Sequence, residues 1–65
     1  MKKQTIEWAI RELEDAKGCL YEAANELLRE RPADPVAPQL DSLAKQTQQA
    51  IDTLKERLKH ASLPS

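Results

Sequence analysis

The sequence predicts an all-α protein, an antiparallel hairpin of two helices that dimerises into a four-helix bundle. Its 65 residues include nine alanines and nine leucines but one glycine and no phenylalanine, a composition typical of helices rather than strands. Apolar residues recur at helical spacing on both sides of one proline-rich segment. The resulting apolar stripes are wider than one partner helix can cover, which predicts the dimer.

The first helix is predicted over about residues 5–31, with Thr5 as its N-cap. Its apolar residues alternate in steps of three and four, so that large and small side chains form one seam. The large residues are Ile6, Leu13, Leu20 and Leu27, and the small ones are Ala9, Ala16 and Ala23, while Ile10, Ala24 and Leu28 widen the stripe on one flank. We interpret the seam, rather than the flank, as the side that faces the second helix.

A turn is predicted over residues 32–38, because three prolines in seven residues cannot lie inside a helix. Pro32 ends the first helix just before it. The Asp34 carboxylate is expected to accept hydrogen bonds from the free N–H groups of the next turn. Pro38 is expected to make that turn irregular, so regular helix is predicted only from about Gln39.

The second helix is predicted over about residues 39–61 and carries its own seam and flank. The seam contains Leu40, Leu43, Thr47, Ala50, Leu54 and Ala61, and the residues that widen it are Ala44, Ile51 and Leu58. Folding back at the turn places Leu20 opposite Ala50 and Leu27 opposite Leu43, so that the seams interdigitate. The chain is then a single domain, and residues 62–65 are expected to form a frayed tail.

A lone hairpin is predicted to leave the flank residues of both helices partly in water. At about 25 cal/mol per Å² the unburied apolar surface amounts to several kcal/mol, and a second hairpin is the simplest cover. We therefore predict a homodimer. Its core and dimer interface are assigned to Ile6, Ile10, Leu13, Leu20, Leu27, Leu28, Leu43, Ile51, Leu54 and Leu58.

Composition and charge argue against several functional classes. Ten basic and eleven acidic residues give a net charge of -1, which disfavours nucleic-acid binding through bulk positive charge. One cysteine, Cys19, cannot form an internal disulfide. No zinc-ligand set, phosphate loop or catalytic triad is present in the sequence, so we expect no enzyme activity, metal or cofactor. With no membrane span or signal peptide in the sequence, a cytoplasmic location without membrane contact is expected.

Trp8 is the candidate anchor for a protein partner, because the helix turns it away from the leucine seam. Arg11 and Asp15 form its predicted polar rim. The leading hypothesis is a small non-enzymatic module, such as a bacterial regulator, inhibitor or chaperone, that binds an unidentified protein. RNA binding is the alternative, and it would use the basic end of the hairpin formed by Lys2, Lys3, Lys55 and Lys59.

Two resemblances carry further alternatives. In length and in its layers of large and small residues, the chain resembles small plasmid-encoded RNA-binding hairpins that dimerise into four-helix bundles, which implies the RNA-binding alternative. The segment Arg31-Pro32-Ala33-Asp34-Pro35 is similar to the Pro-x-Asp-Pro turn of type III secretion needle subunits. This second resemblance covers five residues and implies a helical hairpin component of a secretion apparatus.

Overall fold

The computed structural model describes residues 2–61, the last of them by its backbone alone, and it contains two helices. Helix α1 is Lys3–Glu30, helix α2 is Val36–Ala61, and the two pack against each other. The predicted all-α hairpin is therefore confirmed. The side chain of Ala61, assigned to the second seam, and the tail at residues 62–65 lie outside the described part of the chain.

Helix α1 begins two residues earlier than predicted. Lys2 precedes it with an extended backbone and makes no side-chain capping hydrogen bond. Its carbonyl accepts from the backbone N–H of Thr5 at 3.1 Å, so Thr5 lies within the helix rather than at its N-cap. At the other end the N–H of Arg31 donates to the Leu27 carbonyl at 2.8 Å, and the following proline prevents a further helical turn.

The turn is organised by Asp34, which is 7% exposed. Its Oδ1 accepts from the N–H of Val36 at 2.8 Å, and its backbone carbonyl accepts from the N–H of Ala37 at 3.3 Å. The predicted cap is thus confirmed. Pro38 is the third residue of a regular helix, where its missing N–H has no helical acceptor to lose. Helix α2 therefore begins three residues before the predicted Gln39.

The side of α1 that faces α2 differs from the predicted seam. Ile6, Ile10 and Ala24 are buried, whereas Ala16 and Ala23 are exposed. The buried and half-buried positions form another alternation of four- and three-residue steps, which contains residues 6, 10, 13, 17, 20, 24 and 27. The predicted flank, and not the row of alanines, therefore points at the partner helix.

Helix α2 shows the same rotation. Ala44 and Ile51 are the most deeply buried of its positions, at 0% and 1% exposure, while Leu43 and Ala50 of the predicted seam are exposed. Because of this rotation, the predicted contacts of Leu20 with Ala50 and of Leu27 with Leu43 do not form the hairpin core. The prediction that a lone hairpin leaves the flank in water is wrong for Ile10, Ala24, Ala44 and Ile51.

Large and small residues divide the core along the length of the hairpin. Near the chain ends, Ile6, Ile10 and Ile51 form one cluster, and three half-buried leucines pack against it: Leu13, Leu54 and Leu58. Nearer the turn, the buried positions are occupied by alanines, at 24, 37 and 44. The isoleucine cluster therefore holds most of the buried apolar volume.

Candidate functional site

One long side of the hairpin, called the apolar face below, consists of apolar residues that the two helices do not bury. Its members are Ala9, Leu13, Ala16, Leu20, Ala23 and Leu27 of α1, with Leu40, Leu43, Thr47, Ala50 and Leu54 of α2. All eleven are exposed or half-buried, and Leu43 is 47% exposed. Helical periodicity puts both sets on the same side of the plane that contains the two helix axes. The result is a continuous surface of these residues, and the exposed Arg57, which follows Leu43 and Ala50 at seven-residue steps, borders it on α2.

Thr47 is the one polar residue of the apolar face, and its hydroxyl already has a partner. The hydroxyl donates to the Leu43 carbonyl one turn earlier, at 2.8 Å. A threonine hydroxyl bonded in this way is not left as an unsatisfied hydrogen-bond donor when the residue is buried from water. Another protein surface could therefore cover the apolar face without leaving an unsatisfied side-chain donor.

On the opposite long side, called the polar face below, several of the chain's own side chains contact one another. The Lys17 ammonium donates to the side-chain oxygen of Gln48, which joins the two helices. The Gln48 amide in turn donates to Asp52 at 2.8 Å. Nearer the chain ends, Lys55 lies 4.0 Å from Glu14. The polar face is therefore satisfied within one chain, unlike the apolar face.

An open cleft of about 400 Å³ lies on the polar face near the chain ends. Ile10 and Leu58 contribute its apolar part, and its charged rim consists of Glu7, Arg11, Glu14, Asp15 and Lys55. The structure thus places Arg11 and Asp15, two of the predicted partner-binding residues, on one cleft. Trp8 does not line it.

A second open cleft, of about 310 Å³, lies on the same face beside the turn. Its lining includes Tyr21 and Leu28, which are 41% and 40% exposed. Tyr21 is not among the residues predicted for the site. Its spacing is the signal that could have found it, since Tyr21 and Leu28 lie seven residues apart and so share one line on the helix surface.

Trp8 lies on the side of α1 that points away from α2 and is 59% exposed. A large aromatic side chain in water offers buried area to a partner while it contributes little to the hairpin itself. Neither helix packs over it. Its role in partner binding stays a prediction.

The predicted basic end is present but carries mixed charge. Lys2, Lys3, Lys55 and Lys59 are all exposed, and the antiparallel helices bring their two ends together. Carboxylates lie among them. Glu14 approaches Lys55, and a Glu56 oxygen lies 3.8 Å from Nε2 of His60. A surface of mixed sign attracts a phosphate backbone less strongly than a run of unopposed lysines.

Two further polar residues of α1, Cys19 and Glu26, are exposed and do not indicate a functional site. Glu26 is held by Arg29 at 2.6 Å. In the described part of the chain, no group of three or more His, Cys, Asp or Glu residues is placed to hold a metal ion.

Comparison with protein-family models, with curated proteins and with solved structures finds no match to this chain. Across residues 2–61, neither helix has an apolar stretch long enough to span a bilayer.

Proposed function

We propose that this chain is a small non-enzymatic helical module that acts by binding protein, and that its first partner is a second copy of itself. The observation that carries the proposal is the apolar face, whose eleven uncharged residues the hairpin leaves exposed or only half-buried. Exposed apolar patches of this extent are typical of protein–protein interaction sites. Two apolar faces packed together form a four-helix bundle.

The size of the apolar face is adequate for a stable dimer. A standard interface takes about 800 Å² from each partner, which is about one sixth of the 5119 Å² that the chain exposes. One of the four long sides of a two-helix hairpin supplies an area of that order. The absence of charges on the face and the satisfied Thr47 hydroxyl keep the desolvation cost low.

Sedimentation equilibrium tests self-association, and two leucines of similar exposure provide a matched pair of variants. Leu43 lies on the apolar face and Leu28 on the polar face, at 47% and 40% exposure. We expect the native chain to dimerise at micromolar concentration, Leu43→Lys to be a helical monomer, and Leu28→Lys to dimerise as the native chain does. A native chain that is monomeric at every concentration, or equal effects of the two variants, would refute the proposal.

A foreign protein is proposed to bind on the outer side of α1, with Trp8 as its anchor and Arg11 and Asp15 as polar contacts. Face-to-face pairing of two hairpins covers the apolar face and leaves the Trp8 side in water, so both interactions can occur together. Tryptophan and arginine are among the residues most enriched at interaction hot spots. This part of the proposal rests on the 59% exposure of Trp8.

The Trp8 surface is tested by affinity capture from native extracts with the native chain and two variants. Trp8→Ala should keep the helical content and the dimer but lose the captured protein, with a binding loss of about 2 kcal/mol or more. Tyr21→Ala, at 41% exposure on the polar face, is the matched aromatic control and should retain it. Loss of the dimer in Trp8→Ala would instead make Trp8 a structural residue.

Electrophoretic mobility shifts at several salt concentrations distinguish protein binding from RNA binding through the basic end. Specific RNA binding that weakens steeply with salt would support the RNA-binding alternative. Absence of a shift at low salt would remove it. A filament on electron micrographs would support the secretion-apparatus alternative instead.

A further inference from the structure

The apolar face permits two symmetric ways of pairing, and the structure favours one of them. This inference rests on the proposed dimer. A two-fold axis along the helices places both turns at the same end, so that α1 of each copy lies against α2 of the other. A two-fold axis across the helices places the turns at opposite ends, so that α1 lies against α1 and α2 against α2. We propose the first arrangement, with both turns at the same end.

Net charge distinguishes the two helices. Helix α1 contains four basic and seven acidic residues, a net charge of -3, whereas α2 contains four basic and three acidic residues, a net charge of +1 with His60 neutral. With both turns at the same end, every neighbouring pair of helices in the bundle combines the acidic with the basic helix. The opposite arrangement sets two acidic helices side by side, which costs free energy.

The charges at the edges of the apolar face lead to the same choice. Glu12 lies on the outer edge of the face on α1, and Arg57 on the outer edge of the face on α2, where it follows Leu43 and Ala50 at seven-residue steps. The contact of Glu14 with Lys55 shows which parts of the two helices are level. When both turns are at the same end, residues of α1 and α2 that lie at the same height in one hairpin also lie at the same height across the two copies. Glu12 then approaches the partner's Arg57. In the opposite arrangement α1 packs against α1, and Glu12 lies away from Arg57 of either copy.

Side-chain size also favours α1 against the partner's α2. The outer row of the apolar face on α1 consists of alanines at positions 9, 16 and 23, whereas the corresponding row on α2 contains the 47% exposed Leu43. With both turns at the same end, Leu43 meets the partner's Ala23, and a large side chain fills the space beside a small one. In the opposite arrangement the alanines of α1 face each other, and Leu43 does not meet that row.

The basic chain ends and the acidic turn would favour the opposite arrangement, but several of their charges are already held within one chain. Lys55 is turned to the polar face, where it approaches Glu14, and the Asp41 carboxylate near the turn is held by Lys45 at 3.1 Å. Asp34 is buried in the turn. Exposed charges separated by more than about 8–10 Å are largely screened at physiological salt. The charges at the edge of the apolar face, Glu12 and Arg57, therefore determine which of the two dimer arrangements is favoured.

Cross-linking of mixed single-cysteine variants tests the arrangement in a Cys19→Ser background. A short bis-maleimide should join Ala23→Cys to Leu43→Cys in a mixture of the two proteins, because these positions are neighbours only when both turns are at the same end. A mixture of Ala9→Cys and Ala23→Cys should not cross-link. Cross-linking of that second mixture in a folded dimer would overturn the arrangement and leave the proposed dimer intact, whereas a monomeric native chain would refute the proposed dimer itself.

A charge reversal gives an independent measurement whose result differs between the two arrangements. Glu12→Lys should weaken the dimer by about two- to fivefold, since it faces the partner's Arg57, and Glu12→Lys with Arg57→Glu should restore the native affinity. In the opposite arrangement Glu12 is distant from Arg57, so Glu12→Lys should change the affinity little and Arg57→Glu should not compensate for it. Sedimentation equilibrium of each variant, with circular dichroism as the check on folding, gives the dissociation constants. An unchanged or a stronger dimer in Glu12→Lys would overturn the arrangement.

Discussion

The apolar face and the polar face of this hairpin differ in how their side chains are satisfied. On the polar face, Lys17, Gln48 and Asp52 form a hydrogen-bonded chain across the two helices. On the apolar face, Leu43 and the neighbouring alanines have no covering layer from the same chain. Several side chains of the polar face thus have partners within one chain, whereas the apolar face is the surface that the proposed dimer would cover. Mutations in the shared core and on each face test this difference between the two faces.

Replacement of Ile51 by alanine should have the largest effect, because Ile51 is 1% exposed and belongs to the core that both faces share. We expect a loss of about 2–5 kcal/mol in the free energy of unfolding, measured by urea denaturation. The loss should be present in dilute and in concentrated protein. Thr53→Ala, an exposed position on the same helix, is the control and should change stability by less than about 0.5 kcal/mol. A loss below about 1 kcal/mol for Ile51→Ala would mean that α2 does not face α1 through this side.

Replacement of Leu20 by alanine tests the apolar face directly. Leu20 is half-buried in the hairpin, so in dilute protein the expected loss is about 1–2 kcal/mol. Where the dimer forms, Leu20 becomes fully covered and the loss should increase towards about 2–5 kcal/mol. Thermal unfolding at several protein concentrations separates these cases. A loss that is independent of concentration would contradict a dimer built on this face.

A double-mutant cycle on Lys17 and Gln48 tests the polar face. The bond between their side chains joins the two helices, and we expect a coupling free energy of about 0.5–1.5 kcal/mol. Lys17→Met and Gln48→Leu remove the interacting polar atoms and leave apolar side chains that are each one atom shorter. The coupling should be the same at all protein concentrations, because the bond forms within one chain. Coupling that appears only in the dimer would show that the polar face also depends on the second copy.

Replacement of Gly18 by alanine should give the smallest effect and the only increase in stability of these four. No atom lies within 4 Å of a Cβ added at this position, and alanine is favoured over glycine inside a helix by about 0.8–1 kcal/mol. The gain should be equal in monomer and dimer, as judged by urea denaturation at two protein concentrations. A decrease in stability, or a weaker dimer, would place an unexpected contact at the outer surface of α1.

Local features of the hairpin could be predicted from the sequence because each depends on residues close together in the chain. The turn is an example. Pro32 limits the first helix, and Asp34 caps the second through the N–H of Val36. The start of α2 differs from the predicted one by three residues, because Pro38 occupies the first turn, where no N–H is required, and does not interrupt the helix. The exposure of Trp8 likewise follows from its helical position relative to the leucines.

The sequence alone therefore determines two amphipathic helices, the turn between them and apolar stripes too wide for a two-helix contact. Only the tertiary structure decided which part of each stripe faces the other helix. Two sides of α1 could face α2, one that contains the isoleucines and one that contains the alanines. Both sides are bordered by Leu13, Leu20 and Leu27, and both show the same alternation of three- and four-residue steps. A repeat within one helix cannot distinguish them. The choice depends on how the shapes of two helices fit at once, and here Ile6, Ile10 and Ile51 pack together in the core, which leaves the alanine side and Leu43 in water.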